Sequence, residues 1–375
     1  MSFASYMQFC LSHPTEGYYM KTSNAVFGPK GDFITSPDIS QVFGELIAIW
    51  LLSQWQAAGA PRKIRLVELG PGRATLMADI LRVIGQLTRT FKTEVQVHLV
   101  ETSSSMRMMQ QEKLGDQSWS LQWYDSVDSV PQSSEFYTML VAHEFFDALP
   151  FHVLQKTEEG WHEVLISSIQ STPENASPYP RFTYGLSPTS SAISALLGGS
   201  SPRFRSVPVG SFLEVSPVAY RIARKVGELL QKADDEQDGS PGGCGLIIDY
   251  GSDSFFDNSR RAFKNHQIVD FFHRPGECDL TANVDFAYLR EAMEDLVPVY
   301  KPLTQSQFLQ AMGLKERLLN LLERNRGDPE KAKRIEEAGL RLVNPSGMGG
   351  QYSVMGVSSN GGVVYPFPSQ EPKTE

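Results

Sequence analysis

The chain is poor in the residues that build small stapled or metal-held proteins. Its 375 residues include three cysteines, Cys10, Cys244 and Cys278, each far from the others, and neither a Cys-x-x-Cys nor a His-Glu-x-x-His spacing occurs. That excludes a disulfide framework and a zinc centre as organising devices, no metal is expected, and a reducing compartment fits. Long apolar runs are missing as well, so no membrane span is expected, and the stretch from Ile49 to Trp55 reads as buried helix. Positive charge is in deficit: 34 Lys+Arg against 43 Asp+Glu leave a formal charge of -9. Such a surface as a whole repels nucleic acid and anionic membrane, leaving room only for a local basic groove, and nucleic acid is not expected as a partner. The opening residues MSFASYMQFC carry neither the Arg-rich amphipathic pattern of a transit peptide nor the basic-then-apolar pattern of a secretory signal, and read as the start of a mature or trimmed chain.

What is present alternates between two periods. From Ser36-Pro37 onward Ile39, Val42, Phe43, Leu46 and Trp50 recur at helical spacing, with Ser36 placed to cap, Pro37 in the first turn and Gly59-Ala60-Pro61 as the stop. KIRLVELG (63–70) reads as a short buried strand, and Leu76, Ile80, Val83, Ile84 and Leu87 form one face of the next helix. VQVHLVET (95–102) is a strand, Ser103 to Lys113 a helix stopped by Gly115, and LQWYDS (121–126) and YTMLVAHEFF (137–146) are further β-rich runs. Strands alternating with helices predict a doubly wound, mostly parallel α/β sheet, whose ligands gather at the carboxyl ends of the strands.

Beyond Pro150 the pattern changes. FHVLQKTEEGWHEVLISS (151–168) alternates like an antiparallel hairpin, and residues 171–206 have the Ser, Pro and Gly content of a loop or insertion. Ser216-Pro217 opens a helix faced by Val218, Ile222, Val226 and Leu229. CGLIIDYG (244–251) reads as a central strand ending at Asp249, and GQYSVMGVSS (350–359) as a last strand.

Three places carry chemistry. In VELGPGRATLMADIL (67–81), Gly70 and Gly72 let the backbone approach a ligand while the following helix offers free N–H groups. A dinucleotide fingerprint wants a third glycine where Thr75 stands. Read instead as acidic-x-Gly-x-Gly-x-small, the turn is Glu68, Gly70, Gly72 and Ala74, which resembles the first motif of class I S-adenosylmethionine-dependent methyltransferases. Glu101, ending the next strand, would then accept hydrogen bonds from both ribose hydroxyls, and Asp125 would receive the adenine amino group; taken singly, each also fits an ordinary strand-end acid. HEFFDALP (143–150) sets Glu144 and Asp147 around two phenylalanines at a strand end, a pattern suited to a guanidinium that stays protonated at physiological pH. His143 beside them is a candidate base or a packed, hydrogen-bonded ring.

GDFITSPDISQVFGE (31–45), VELGPGRATLMADIL, HEFFDALP, LIIDYG (246–251) and DLTANVDF (279–286) together resemble the MidA-type methyltransferases, and the likeness runs from HPTEGYYM (13–20) to PSGMGG (345–350). The resemblance implies a Rossmann-like class I methyltransferase fold with S-adenosylmethionine as cofactor. Its core would span 61–150, 207–252 and 338–360. A helical segment over the cofactor site would occupy 1–60, and insertion or substrate-side regions 151–206 and 253–337. It further implies symmetric dimethylation of an arginine on a peripheral-arm subunit of respiratory complex I, needed for that complex's assembly in the mitochondrial matrix, by a monomer or homodimer. By residue, Glu68, Gly70, Pro71 and Gly72 match the cofactor turn, Glu101 the ribose acid, Asp125 the adenine acid, and Glu144 and Asp147 the acceptor loop with His143. Asp32, Phe33, Thr35 and Ser36 match an N-terminal block over the cofactor. Asp249, Tyr250, Gly251, Asp279, Thr281 and Asn283 fit either strand ends and caps or the site. The alternative of another class is an assembly scaffold that keeps the methyltransferase fold without depending on catalysis.

Overall fold

In the computed structural model, which describes residues 1–21, 34–91, 93–115, 119–169, 181–232 and 241–368, the run KIRLVEL becomes strand β1 (Lys63–Leu69), buried from Ile64 onward. It belongs to the core unit, formed by Ile34–Phe145, Ile222–Asp253 and Ala292–Glu375; a second unit comprises Met1–Phe33, Phe146–Arg221 and Ser254–Glu291. The core-unit strands continue as β2 (Glu94–Val100), β3 (Ser120–Tyr124), β4 (Tyr137–His143), β5 (Gly243–Ser252), β6 (Leu303–Thr304) and β7 (Tyr352–Ser358). Their order across the sheet is β3-β2-β1-β4-β5-β7-β6. From β3 to β5 every pairing is parallel, and β7 runs antiparallel to both neighbours. Parallel strands need helices on both faces, which explains why β4 is buried at every position.

Register fixes where the strands run out. Leu69 pairs with Val100 and Ala142, Val100 with Tyr124, and Ala142 with Ile247. Gly70, Glu101, Asp125 and His143 are therefore the next residues along one edge. The reversed β7 reaches that edge with its first residue, Tyr352, which pairs with Tyr250.

Helices α1 (Gln41–Ala57), α2 (Thr75–Phe91) and α3 (Ser104–Leu114) fill the intervals as the spacing predicts. The first boundary differs. Ser40, extended at φ -157, caps α1 by accepting from the Val42 amide, whereas Ser36 opens a separate single turn, Ser36–Ile39, with Thr35 at its N-cap. The apolar period runs through both pieces, so it does not register the break. Val42, Phe43, Trp50, Ile64, Leu66, Ile80, Ile84, Leu246, Ile248 and Val354 share one buried core.

In the second unit the predicted hairpin is present as His152–Thr157 against Gly160–Ile169, extended by Arg181–Leu186 and Phe212–Val215 into an antiparallel sheet. Residues 181–206 are not all loop. Besides that strand they form the helix Ala192–Gly198, opened by a Ser191/Ser194 capping box, and the turn Pro202–Ser206, capped by Ser201. The serines that read as loop composition are its caps. Residues 170–180 and 233–240, which hold most of the remaining insertion-like stretches, lie outside the described residues. A smaller sheet joins Arg261–Lys264, Gln267–Val269 and Asp279–Thr281. Among the described residues no helix is long and apolar enough to cross a membrane.

Leu66, 1% exposed on β1, tests the core. Leu66→Ala is expected to cost roughly 2–5 kcal/mol in urea unfolding followed by tryptophan fluorescence; a loss below about 1 kcal/mol would mean β1 is not central to the packing.

Candidate functional site

The glycine turn leaves β1 in left-handed conformations, with φ of 64° at Gly70, 49° at Gly72 and 54° at Ala74. The Gly70 amide donates to the Val100 carbonyl (3.0 Å), tying the turn to the end of β2, and the Ala74 amide donates to the Pro71 carbonyl (2.7 Å). A Cβ on Gly70 would stand 2.8 Å from the Phe145 ring, so the position is sterically closed to any side chain as well as strained.

Glu101 sits beside the turn. Its amide donates to the Tyr124 carbonyl (2.9 Å), and its carboxylate accepts from the Ser103 amide (2.8 Å) and from Gln110 Nε2 (3.2 Å). The same Gln110 nitrogen donates to the Gly72 carbonyl (2.8 Å), and Gln110 Oε1 accepts from Trp123 Nε1 (2.8 Å). Gln110, fully buried on α3, thus locks the acid against the turn. Burial raises the Glu101 carboxyl, opposed by the Ser103 amide and Gln110. Asp125 lies at the exposed end of β3, paired with Arg107 at 2.6 Å, and Arg107 Nε also donates to the Glu101 carbonyl (2.7 Å).

Of the N-terminal block, Asp32 and Phe33 lie outside the described residues. Thr35 Oγ1 donates to Asp38 (3.3 Å), and the buried Ser36 Oγ donates to Gln305 Oε1 (3.2 Å). What joins this segment to the glycine turn is Asp38, whose Oδ1 accepts from Arg73 (2.7 Å) and Thr75 Oγ1 (3.3 Å). Asp38 was missed in the sequence because an acid in a helix's first turn reads as ordinary capping.

At the end of β4, Glu144 adopts φ 50° and is held on several sides. Its amide donates to the Ile248 carbonyl (3.0 Å), the next amide, of Phe145, donates to Asp249 Oδ2 (3.1 Å), and its Oε1 accepts from the Tyr352 hydroxyl (2.8 Å). Asp249 Oδ1 also takes the Tyr250 amide (2.9 Å), so this fully buried acid pins the segment after β4 to β5. His143 lies under Glu144, its Nε2 3.6 Å from the carboxylate, between the Phe43 ring (5.2 Å) and the parallel Tyr352 ring (6.3 Å, 8°). Burial lowers the His143 ring to about 3, with Asp38 acting the other way.

Asp147 belongs to the second unit. Its backbone carbonyl accepts from the Ala282 amide (3.1 Å), and its side chain lines a pocket with Phe146, Phe151, Asn283 and Tyr288. Burial raises the Asp147 carboxyl to about 6, with Arg261 pulling it down. In the same unit Asp279 accepts from the Tyr19 hydroxyl (2.7 Å), and Asn283 Oδ1 accepts from Arg261 (2.6 Å). Asp279, Thr281 and Asn283 therefore lie with Asp147 in that unit, and Glu68, Glu101 and Glu144 lie in the core unit.

The turn fits S-adenosylmethionine on one further observation. Glu68 is 3% exposed, and its Oε2 is buried without a hydrogen-bond donor. Burial pushes its carboxyl up to about 8, with Lys113 pulling it partway back. Left neutral, such a group is tolerable; a ligand's ammonium would complete it and ionise it. At pH 7, binding of S-adenosylhomocysteine should therefore release about one proton, read by calorimetry in buffers of different ionisation enthalpy. The release should fade above pH 9, where Glu68 is already ionised, and vanish in Glu68→Gln; heats independent of buffer at pH 7 would refute it. Gly70→Val should weaken the same binding at least roughly 10-fold, through strain and the Phe145 clash.

Residues 46–301 match the family model described as "Putative S-adenosyl-L-methionine-dependent methyltransferase". The mitochondrial protein arginine methyltransferase NDUFAF7 of Danio rerio is 38% identical over 95% of this chain and 83% of its own length, and the Homo sapiens protein of that name 34% identical over 93% and 78%. A Burkholderia thailandensis protein crystallised with S-adenosyl-homocysteine superposes with a TM-score of 0.74 at 23% identity, covering 97% of this chain and 89% of that one, which shows a shared fold. With the family model spanning most of the chain and these relatives aligned along nearly all of it, the chain belongs to the MidA-type family of S-adenosylmethionine-dependent methyltransferases.

Proposed function

We propose that the protein is an arginine N-methyltransferase that symmetrically dimethylates an arginine on a peripheral-arm subunit of respiratory complex I, in the mitochondrial matrix, as a step in assembling that complex. The observation that carries the acceptor class is the identity, along nearly the whole chain, to mitochondrial proteins named as arginine methyltransferases. The carboxylate held at the end of β4 suits that acceptor.

Gly70, Pro71 and Gly72 would shape the cofactor turn, Glu68 and Glu101 would hold its ammonium and ribose, and Asp125 would take the adenine amino group. Thr35 and Ser36 would cover it. S-adenosylmethionine, when bound, supplies a methyl group on a positively charged sulfur. The protein's own task is to present a guanidinium nitrogen to that carbon and to remove a proton. Each transfer forms one N–C bond and breaks one S–C bond, and one N–H proton leaves the guanidinium, which stays cationic. Glu144 grips the guanidinium through charge-assisted hydrogen bonds and takes the proton. His143, kept neutral by burial, supports Glu144 as a packed ring.

Purified protein, labelled cofactor and the acceptor subunit should yield symmetric dimethylarginine by mass spectrometry. Glu144→Gln should lower kcat at least roughly 100-fold with S-adenosylhomocysteine affinity within about 3-fold of wild type. Absence of any methylated arginine at saturating cofactor, or an unimpaired Glu144→Gln that still supports complex I assembly, would favour a scaffold.

A further inference from the structure

Tyr352 stands in the acceptor region without having been marked by its sequence surroundings. It is 1% exposed, opens β7, and reaches the carboxyl edge only because β7 runs opposite to β5. Its hydroxyl donates to Glu144 Oε1 at 2.8 Å. Its ring is stacked on His143 and lies 4.0 Å from the Tyr250 ring, centroid to centroid. Ring and hydroxyl are thus both fixed.

We propose that Tyr352 is a positioning residue for methyl transfer: its hydroxyl holds the Glu144 carboxylate ionised and aimed while the acceptor's guanidinium is bound. This rests on the reading of Glu144 as the acceptor acid. Glu144 occupies a left-handed backbone position, and the amides of Glu144 and Phe145 are anchored to β5. A donor to one carboxylate oxygen then orients the side chain as well. Burial and Glu144 keep the Tyr352 hydroxyl protonated well beyond physiological pH, so it remains a donor throughout the working range. Among the described residues, titratable groups near Glu144 include Tyr352 and Tyr250 from β7 and β5, Asp249 behind the loop, His143 at the end of β4, and Asp38, which His143 also feels. Tyr352 donates to one oxygen of the carboxylate and so favours its charged form, and Tyr250 is hydrogen-bonded to Tyr352 in turn.

Tyr352→Phe keeps the ring and removes the donor. Expected is a fall in kcat of roughly 10- to 100-fold with acceptor KM and S-adenosylhomocysteine affinity within about 3-fold, and an acid limb of the kcat/KM profile moved up by about one pH unit. The sign follows from the lost donor: Glu144 becomes easier to protonate, so activity disappears at a higher pH. In a Glu144→Gln background the same change should add little further loss. The control Tyr300→Phe removes another buried hydroxyl, the one bonded to the Gly362 carbonyl, and should leave the profile in place. An unchanged kcat and profile, or a fall in kcat that tracks lost cofactor affinity and melting temperature with the acid limb unmoved, overturns the proposal. Difference infrared titration of Glu144 in the S-adenosylhomocysteine complex needs no turnover: a raised midpoint in Tyr352→Phe supports the proposal even if arginine is not the acceptor, and an unmoved midpoint overturns it.

Discussion

Carboxylates crowded at one edge of a parallel sheet are the constraint from which the rest of the core unit follows. Glu68, Glu101, Glu144 and Asp249 lie along one edge of the sheet, on or just past β1, β2, β4 and β5; Glu68 and Asp249 are buried, and Glu101 and Glu144 are half-buried. A buried carboxylate is costly unless something satisfies it. Each is met differently. Asp249 takes two backbone amides, Glu101 an amide and the Gln110 side chain, Glu144 the Tyr352 hydroxyl, and Glu68 keeps an oxygen with no donor.

These differences separate structural acids from chemical ones. Asp249 is satisfied by the fold itself and serves as the pin between the segment after β4 and β5. Glu68 is buried with one oxygen that has no donor, and that burial raises its carboxyl; on the proposed reading, a cationic ligand would complete it. Gln110 couples the glycine turn to the end of β2 through a single amide nitrogen shared by Gly72 and Glu101, which fixes the spacing between the two.

Much of this was legible in the amino-acid order. Strand β1, the glycine turn and α2 follow from an apolar run, two glycines and a helical period. The hairpin after Pro150 follows from alternation. What escaped was set by tertiary packing. Gln110 occupies a polar helix where nothing distinguishes it from a solvated neighbour, until Trp123 and Gly72 close around it. Tyr352 depends on the reversal of β7, and Asp249 reads as a strand end although both its oxygens are engaged. The break between Ser36–Ile39 and α1 is invisible to a period that spans it. Family likeness, rather than local pattern, carried the step from a cofactor turn to an arginine acceptor.

The most direct test of the central claim is a crystal structure with S-adenosylhomocysteine and an arginine-bearing acceptor peptide bound together. Glu101 should lie on the ribose hydroxyls, the ligand's ammonium on Glu68, and the peptide's guanidinium on Glu144, with the Tyr352 hydroxyl still on that carboxylate. A nucleoside seated away from Glu101, or an arginine that makes no contact with Glu144, would contradict it.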